Sequence, residues 1–511
     1  MTKSNLVSLT SKVYNLKVIT FFRRRPYLPI LILILTLGLF FRTYEVLERF
    51  EFAHDGDLYS WIVKDILINH HFRLIGQLTS APGIFIGGLF YYLLIPFFIL
   101  SNMDPIGVIF FAIIIGLLTI VSYYLVFSKL FNVEVGLFGA FFYAIFISTV
   151  NFDRWVVPTI TTNLWVIWYF YAIVKIARGK FSVLPLLGIL IGLIWHIHIA
   201  LIPALIAIPT ALYISRNFPT IKQISLFLIA LFLASSPLII FELRHNFIQT
   251  SNLINNLVIP QAGPQGFYKF QLVLEMIIKN INTLFFAPLS LTLTNSILFV
   301  LGILISALLL LKKGLLSSKE LVPLYAWLFG VILFFSVSKS PISEYYFKNI
   351  EVIFLSIVSI LFYLLSKSSK LGRVLVFSIL VLVFIKNSHF LVKQNYYHKG
   401  YVEKKELVKY ISEDAKVKGY PCVGISYITT PGENVGFRYF FYLSNLHLVH
   451  PSLDIPVYNI VIPDELSKEV TRKFGHIGII PPTNVVPKEI IQKQCQGPNT
   501  NLTDSMFGYV E

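Results

Sequence analysis

A series of long apolar runs constrains this sequence more than any other feature. A helix needs about 20 apolar residues to cross a hydrocarbon core about 30 Å thick, so each run is a candidate membrane span. The runs cover residues 26–41, 83–100, 106–127, 136–150, 159–176, 184–201, 202–214, 224–241, 291–311, 321–337, 350–365 and 374–385. They predict an all-α polytopic membrane protein.

The charges of the chain agree with a membrane location. Hydrophobic residues make up 56% of the sequence and charged residues 13%, which is too apolar for a soluble protein of this size. The net charge of +16 lies mostly in short loops between the apolar runs, so it predicts membrane topology and no nucleic-acid partner. Residues 1–25 are basic, and the run after them lacks a small-residue cleavage site, so we expect a retained first helix.

The basic loops predict the orientation, because Lys and Arg in short loops resist translocation. Such loops lie at residues 23–25, around Lys129, and at residues 175–180, 216–222, 312–319 and 367–373. If run 83–100 does not span, all of them face the cytoplasm. Its three glycines, Pro96 and the pair Tyr91 and Tyr92 suit a segment in the outer interface. We therefore predict about eleven transmembrane helices in the plasma membrane.

This topology divides the chain into two domains. Residues 1–390 form a transmembrane domain with outer loops at 46–101 and 242–284, and residues 391–511 form a small extracytoplasmic α/β domain. In the second loop, apolar residues recur at helical spacing between 267 and 281 and predict an amphipathic helix on the membrane surface. The α/β domain contains Cys422 and Cys495. An outer compartment permits a disulfide between them, and two buried thiols are the alternative.

Two carboxylates follow the first run, in His54-Asp55-Gly56-Asp57, and an amphipathic helix is predicted over residues 58–67. Asp55 and Asp57 could converge on a divalent cation such as Mg²⁺ or Mn²⁺, since hard ions prefer oxygen ligands. Alternatively, one of them could act as general base on a hydroxyl nucleophile. Each also has a simpler interpretation: Asp57 stands where an N-cap would, and Asp55 could be a solvated loop residue.

With this acidic motif, the helix after it and the stretch Gly88 to Tyr92, the sequence resembles the GT-C superfamily of membrane glycosyltransferases. The resemblance covers roughly residues 26–367. It implies a catalytic Asp at the outer end of the first helix, followed by helices that lie along the membrane. It also implies a sugar donor carried on a polyprenyl phosphate. In many members the two acidic residues are adjacent, whereas in this chain Gly56 separates Asp55 from Asp57.

A phosphate leaving group gains negative charge as the anomeric bond breaks, so cations on the outer side would stabilise it. Arg154, Arg244 and Lys348 are the candidates, with Tyr345 and Tyr346 beside Lys348. The alternative for each cation is interfacial snorkelling, with the aromatic residues in the membrane belt.

Three further residues are candidates for the substrate cavity: His54, Tyr92 and His198. An ionisable group inside a span is costly unless it faces a cavity or a partner. His196 and His198 are two residues apart on a helix, so we expect only one of them to face the cavity. A hydrogen bond between helices is the alternative role for both.

The sequence thus predicts a glycosyltransferase that moves a sugar from a polyprenyl-phosphate donor to an acceptor of unknown class on the outer face. A ligase or polymerase of lipid-linked oligosaccharides would use related donors and is one alternative. A transporter or flippase is another, but such proteins bind substrate near the midplane through broken helices in matching halves. No such pair of interrupted runs is visible in the sequence.

Overall fold

The computed structural model describes residues 27–79, 82–258, 264–287, 289–339, 341–396, 398–451, 454–483 and 486–502. The basic segment at residues 1–25, expected to precede a retained first helix, lies outside the described residues.

Helices build the part of the chain that was expected to lie in and on the membrane. They are α1 (Leu28–Thr43), α2 (His54–Ile68), α3 (Leu89–Leu100), α4 (Val108–Leu130), α5 (Val133–Ile145), α6 (Ile147–Arg154), α7 (Thr162–Ala177), α8 (Leu184–Ile197), α9 (Ala207–Ser215), α10 (Ile221–Arg244), α11 (Ile248–Val258), α12 (Gly266–Phe286), α13 (Leu293–Lys312), α14 (Ser318–Val337), α15 (Glu351–Ser368) and α16 (Lys370–Lys393). Every predicted apolar run therefore contains a helix.

Among the described residues, seven helices are long and apolar enough to cross a membrane. They are formed by α4, α7, α10, α13, α14, α15 and α16. The pair α5 and α6 is bent by 62° and could form an eighth span. The helices α1, α8 and α9 are apolar but shorter. The protein is therefore a multi-pass membrane protein, and the count of eleven spans stays a prediction.

The segment expected not to span, residues 83–100, contains a short helix and the second strand of a hairpin whose first strand precedes it. Strands β1 (Ile75–Leu78) and β2 (Phe85–Gly87) pair antiparallel and lead into α3. This helix has 12 residues and so a length of about 18 Å, well below the thickness of the hydrocarbon core. Its length supports the prediction that the segment does not span.

Two predicted surface helices are present, but their buried faces differ from the expectation. The helix expected over residues 58–67 already begins at His54. In α12, Ile277 and Ile281 are buried as the apolar spacing predicted, whereas Phe267 is 73% exposed. Since the buried face also contains Lys269, α12 packs on protein along one side only.

A small α/β domain follows the last long helix. It contains α17 (Tyr401–Lys418), β3 (Gly424–Thr429), α18 (Arg438–Leu443), β4 (Val457–Ile462), β5 (Arg472–Phe474), β6 (Ile477–Ile480) and α19 (Lys488–Gln494). The sheet order is β3-β4-β6-β5. Strands β3 and β4 are parallel, and β6 is antiparallel to both its neighbours. A disulfide joins Cys422 to Cys495, so the disulfide alternative is the one observed.

Two hydrophobic cores organise the molecule. The first fills the helical bundle around residues such as Trp327 and Phe354. The second is continuous from α2 and α3 into the C-terminal domain, where Phe52 and Tyr59 share a core with Phe440. The segment between α1 and α4 therefore packs as part of the C-terminal domain, although it belongs to the transmembrane domain by sequence.

Candidate active site

The first turn of α2 carries both candidate carboxylates. The helix begins at His54 and Ala53 occupies the N-cap position, so the expectation that Asp57 is the N-cap of this helix is wrong. Gly56 separates the two carboxylates for a steric reason: a Cβ atom there would lie 2.7 Å from the ring of Phe52. The close approach of Phe52 explains why no acidic side chain stands next to Asp55.

Asp55 is half-buried and joins a hydrogen-bond chain from the β hairpin. Gln77 Nε2 donates to Asp55 Oδ1 at 2.9 Å. The Oε1 atom of Gln77 accepts from the hydroxyl of Tyr91 at 3.1 Å. Gly76 makes room for this tyrosine, since a Cβ at that position would lie 2.2 Å from its ring. These hydrogen bonds, from Tyr91 through Gln77, fix the orientation of the Asp55 carboxylate.

Asp57 lies in a different environment, at the junction with the C-terminal domain. Its side chain is 2% exposed, and its Oδ1 accepts the main-chain N–H of Tyr439 at 2.8 Å. Burial raises the pKa of Asp57 to about 6, although the N–H of Tyr439 and the charges of Arg438 and Lys404 oppose the shift. Asp57 therefore caps a helix after all, but that helix is α18 of the other domain.

The two carboxylates do not fit a shared metal ion. Residues two apart on a helix point in different directions, and here one carboxylate bonds Gln77 while the other is buried against Tyr439. A group that could hold a metal ion lies elsewhere, at Asp464, Glu465 and His476 of the C-terminal domain. The ammonium of Lys473, 2.5 Å from Asp464, already neutralises part of its charge.

Two cavities of different character lie in this part of the molecule. A polar cavity of about 710 Å³, called the vestibule here, is lined by Ala53, Arg154, Trp155, Lys348, Tyr396 and Lys404 among others. An apolar cavity of about 420 Å³ is lined by residues including Leu89, Leu93, Leu164, Trp168, Leu193 and His196. The vestibule lies between the helical bundle and the C-terminal domain.

Arg154 is the best placed of the predicted phosphate-binding cations. It lines the vestibule and donates to the main-chain oxygens of Phe41 and Tyr44 through Nη2. Among the described residues, its Nε is a buried donor without a hydrogen-bond partner. The preceding residue, Asp153, is held in a buried ion pair with Arg42 at 2.5 Å. This pair anchors the end of α6 and so the arginine that follows it.

The other two cations have different surroundings. Lys348 also lines the vestibule, but its ammonium bonds Glu351 at 2.7 Å and Ser148 at 3.0 Å. The carboxylate of Glu351 therefore balances most of the positive charge of Lys348. Arg244 is exposed at the end of α10 and is not among the residues that line the vestibule. The structure thus brings Arg154 and Lys348 together and leaves Arg244 apart.

The aromatic and histidine candidates have mainly structural contacts. The buried His198 accepts the N–H of Ala200 through Nδ1 at 3.0 Å. Its ring packs against Tyr345 and Tyr346, at 5.5 and 5.0 Å between centroids. The tyrosines line neither cavity described above. His196, not His198, lines the apolar cavity. His198 follows the last residue of α8, and its side chain caps the short helix that comes next.

Tyr92 and His54 do not line either cavity. The hydroxyl of Tyr92 accepts the main-chain N–H of Arg73 at 2.8 Å and lies 3.0 Å from the same residue's carbonyl oxygen. It closes the loop before β1, and its neighbour Tyr91 is the tyrosine near Asp55. His54 is exposed at the first position of α2. Their assignment to a substrate cavity stays a prediction without support from the cavity lining.

Sequence reasoning missed the residues that hold the two carboxylates. Gln77 is 22 residues from Asp55, and Tyr439 is 382 residues from Asp57. Lys404, which holds the same segment through Phe52 O, is 352 residues from Phe52. The one available signal for Gln77 was that it is a polar residue in a short strand with apolar residues on both sides. Lys404 carried no signal, because its helix reads as an ordinary charged surface helix.

Comparisons with known proteins give the class of fold. No protein-family model matches the chain, and no curated protein matches its sequence significantly. The fold is similar to that of ArnT from Cupriavidus metallidurans bound to undecaprenyl phosphate, with a TM-score of 0.55 and 11% identity over 88% of this chain and 97% of that one. The apo state of ArnT gives a TM-score of 0.53 and 10% identity, with coverage of 90% and 98%.

The apo oligosaccharyltransferase of Archaeoglobus fulgidus gives a TM-score of 0.48 and 14% identity over 84% of this chain, which spans 65% of that protein's length. Both proteins belong to the GT-C superfamily of membrane glycosyltransferases. The likeness to ArnT gives the chain a GT-C fold, as the sequence resemblance predicted. ArnT shares this fold over nearly the whole length of both chains.

Proposed function

We propose that this protein is a glycosyltransferase that moves a sugar from a polyprenyl-phosphate donor to an acceptor at the outer face of the plasma membrane. The fold it shares with ArnT, which binds undecaprenyl phosphate, supports this class of donor. The proposal assigns the role of general base to Asp55. It assigns contact with the donor phosphate to Arg154.

The observation that carries the proposal is that chain segments on either side of Asp55 reach two cavities of different polarity, while Asp55 itself lines neither of the two. Ala53, two residues before Asp55, lines the vestibule. Gln77, which bonds Asp55, lies in the hairpin that leads into α3, where Leu89 lines the apolar cavity. A donor with an apolar tail and a polar headgroup needs this combination of surfaces on either side of the reacting atoms.

The two parts of the donor suit the two cavities. The lining of Leu93, Trp168 and their neighbours can cover a hydrocarbon chain, and α3, α7 and α8 all contribute to it. The guanidinium of Arg154 lines the vestibule and suits a phosphate there, because hydrogen bonds between charged groups are the strong ones. Lys348 lines the same vestibule, but its bond to Glu351 balances most of its charge.

The chemistry needs one base and one stabilised leaving group. The acceptor oxygen forms a bond to the anomeric carbon while the bond from that carbon to the phosphate oxygen breaks. The bonding electron pair leaves with the polyprenyl phosphate, whose growing charge Arg154 stabilises. The proton of the acceptor hydroxyl passes to the carboxylate of Asp55, whose orientation Gln77 fixes. The residues present do not fit a metal between Asp55 and Asp57, so no step uses one.

The outer location follows from charge and chemistry. The positive-inside rule places the basic loops in the cytoplasm and the C-terminal domain outside. The disulfide between Cys422 and Cys495 agrees with an oxidising compartment. An acceptor from outside and a donor headgroup from the bilayer would meet at the vestibule.

Replacing Asp55 by Asn tests the assignment. The variant keeps the size of the side chain and an oxygen for Gln77, but it cannot take a proton. We expect turnover to fall by about 10²-fold or more at unchanged protein level, as is typical when a general base is removed. The measurement is the release of polyprenyl phosphate from a lipid-linked sugar, followed by mass spectrometry.

Asp57→Asn separates the two carboxylates. Its side-chain oxygen can still accept the N–H of Tyr439, so we expect turnover to change by no more than about threefold. A near-normal turnover in Asp55→Asn would refute the general-base assignment. An equally large loss in Asp57→Asn, partly restored by added Mn²⁺, would instead favour a metal held by both residues.

A further inference from the structure

The segment that carries Asp55 is held by the C-terminal domain at three points. The main-chain N–H of Tyr401 donates to Phe50 O at 3.0 Å. The ammonium of Lys404 donates to Phe52 O at 2.7 Å. The carboxylate of Asp57 accepts from the N–H of Tyr439. These contacts bracket Asp55 from both sides along the chain.

From the C-terminal domain, the side chain of Lys404 reaches the main chain of this segment near its centre. It is 4% exposed, and it donates a second hydrogen bond to Val435 O at 2.8 Å. Burial lowers the pKa of Lys404 to about 8, with Asp57 acting in the opposite direction. A buried ammonium is costly unless it is well bonded. Here it joins two separate stretches of main chain.

The packing around Phe52 leaves the segment little freedom. The Phe52 ring is fully buried, and its centroid lies 4.7 Å from that of Phe440. A Cβ at Gly436 would lie 2.7 Å from both Lys404 Nζ and Phe52 O. The lysine, the carbonyl and the glycine therefore fit together in one arrangement.

We propose that Lys404 is a positioning residue for the transfer reaction, holding the Phe52 carbonyl so that the first turn of α2 keeps Asp55 in place, two residues after Ala53, which lines the vestibule. The inference rests on the proposed function, in which Asp55 is the general base. It makes the C-terminal domain part of the catalytic apparatus, not an appendage to the helical bundle. A base displaced by about 1 Å can lose on the order of 10²-fold in rate.

Lys404→Met in the full-length protein tests this role, with Lys409→Met as the matched control. Lys409 lies on the same helix, and its side chain is 75% exposed. Hydrogen–deuterium exchange of a peptide covering residues 50–58 reports the restraint without any need for turnover. Donor turnover then separates kcat from KM. We expect Lys404→Met to exchange faster at this peptide and to lose about tenfold or more in kcat with little change in KM.

Lys409→Met is expected to match the wild type in both measurements. Should Lys404→Met unfold, Gly436→Ala provides a second disturbance of the same contact without removing the charge. Faster exchange at residues 50–58 supports the restraint even if Asp55→Asn proves active, which would refute only the proposed function. Wild-type exchange overturns the restraint. If Lys404→Met exchanges faster but keeps the wild-type kcat, and Asp55→Asn is inactive, the positioning role is overturned.

Discussion

Asp55 and Asp57 are two residues apart, yet their surroundings give them different roles. Asp55 is half-buried, two residues after the vestibule-lining Ala53, and is oriented by Gln77. Asp57 is buried and bonds the main chain of Tyr439. The sequence could predict Asp55 as the acidic residue at the head of a helix. It could not predict the burial of Asp57, because the residues that bury it come from the other end of the chain.

The burial of Asp57 predicts a pH dependence of stability. Its pKa in the folded protein, about 6, lies above its ordinary value of 3.8. The folded state therefore binds this proton more tightly than the unfolded state does. The corresponding stability is fully present below about pH 4 and is lost as the pH rises through about 6. A shift of this size corresponds to on the order of 1–3 kcal/mol.

Asp57→Asn should remove this dependence while keeping the bond to Tyr439. As the pH rises from about 4 to about 6, we expect the melting temperature of the variant to increase relative to that of the wild type. Thermal unfolding of both purified proteins across that range is the measurement. A constant difference in melting temperature would show that Asp57 does not titrate there.

The arginines allow a matched test of donor binding. Arg154→Met removes a charge from the lining of the vestibule, whereas Arg244→Met removes an exposed charge outside that lining. We expect Arg154→Met to weaken donor affinity by about tenfold or more, the usual effect of losing a charged hydrogen bond. Arg244→Met should bind as the wild type does. Equal affinities for both variants would remove Arg154 from the phosphate site.

Lys348→Met is a poor test, although the sequence suggested it equally. Its ammonium is the partner of the buried Glu351. Removing it would leave that carboxylate buried without its counter-charge, and such a change destabilises a protein strongly. A loss of activity in this variant would therefore not identify a phosphate contact.

At the scale of elements, hydropathy predicted where helices lie but not where they break. Each apolar run contains a helix. The bend between α5 and α6 occurs at Phe146, whose ψ of 125° is extended, and no proline or glycine marks it. The short strands β5 and β6 also escaped prediction. They are three and four residues long, too short for a clear alternation of polar and apolar side chains.

The short helix α3 tests the predicted topology. If it does not span, Asn102 after it lies outside and Lys180, in the loop after α7, lies inside. Both residues are exposed. A cysteine at Asn102 should react with an impermeant thiol reagent in intact cells, and one at Lys180 should react only after permeabilisation. In the C-terminal domain, the exposed Lys416 is a third probe, and a cysteine there should react from outside. Labelling of Lys180→Cys from outside would contradict the scheme.

At the scale of the whole molecule, the candidate site is assembled from three distant parts of the chain. The α2 and α3 region supplies Asp55, α6 supplies Arg154, and the C-terminal domain supplies Lys404. The sequence predicted that an α/β domain follows the helices. It could not predict that this domain shares a core with α2, because that contact depends on packing between residues such as Phe52 and Phe440.

The central claim is that the protein consumes a polyprenyl-phosphate sugar through Asp55. The direct measurement is the lipid extract of cells that lack the protein, analysed by mass spectrometry and compared after complementation. We predict that a polyprenyl-phosphate sugar accumulates without the protein. Complementation with the wild type or with Asp57→Asn should clear it, and complementation with Asp55→Asn should not. Lipid extracts that are identical with and without the protein would contradict the claim.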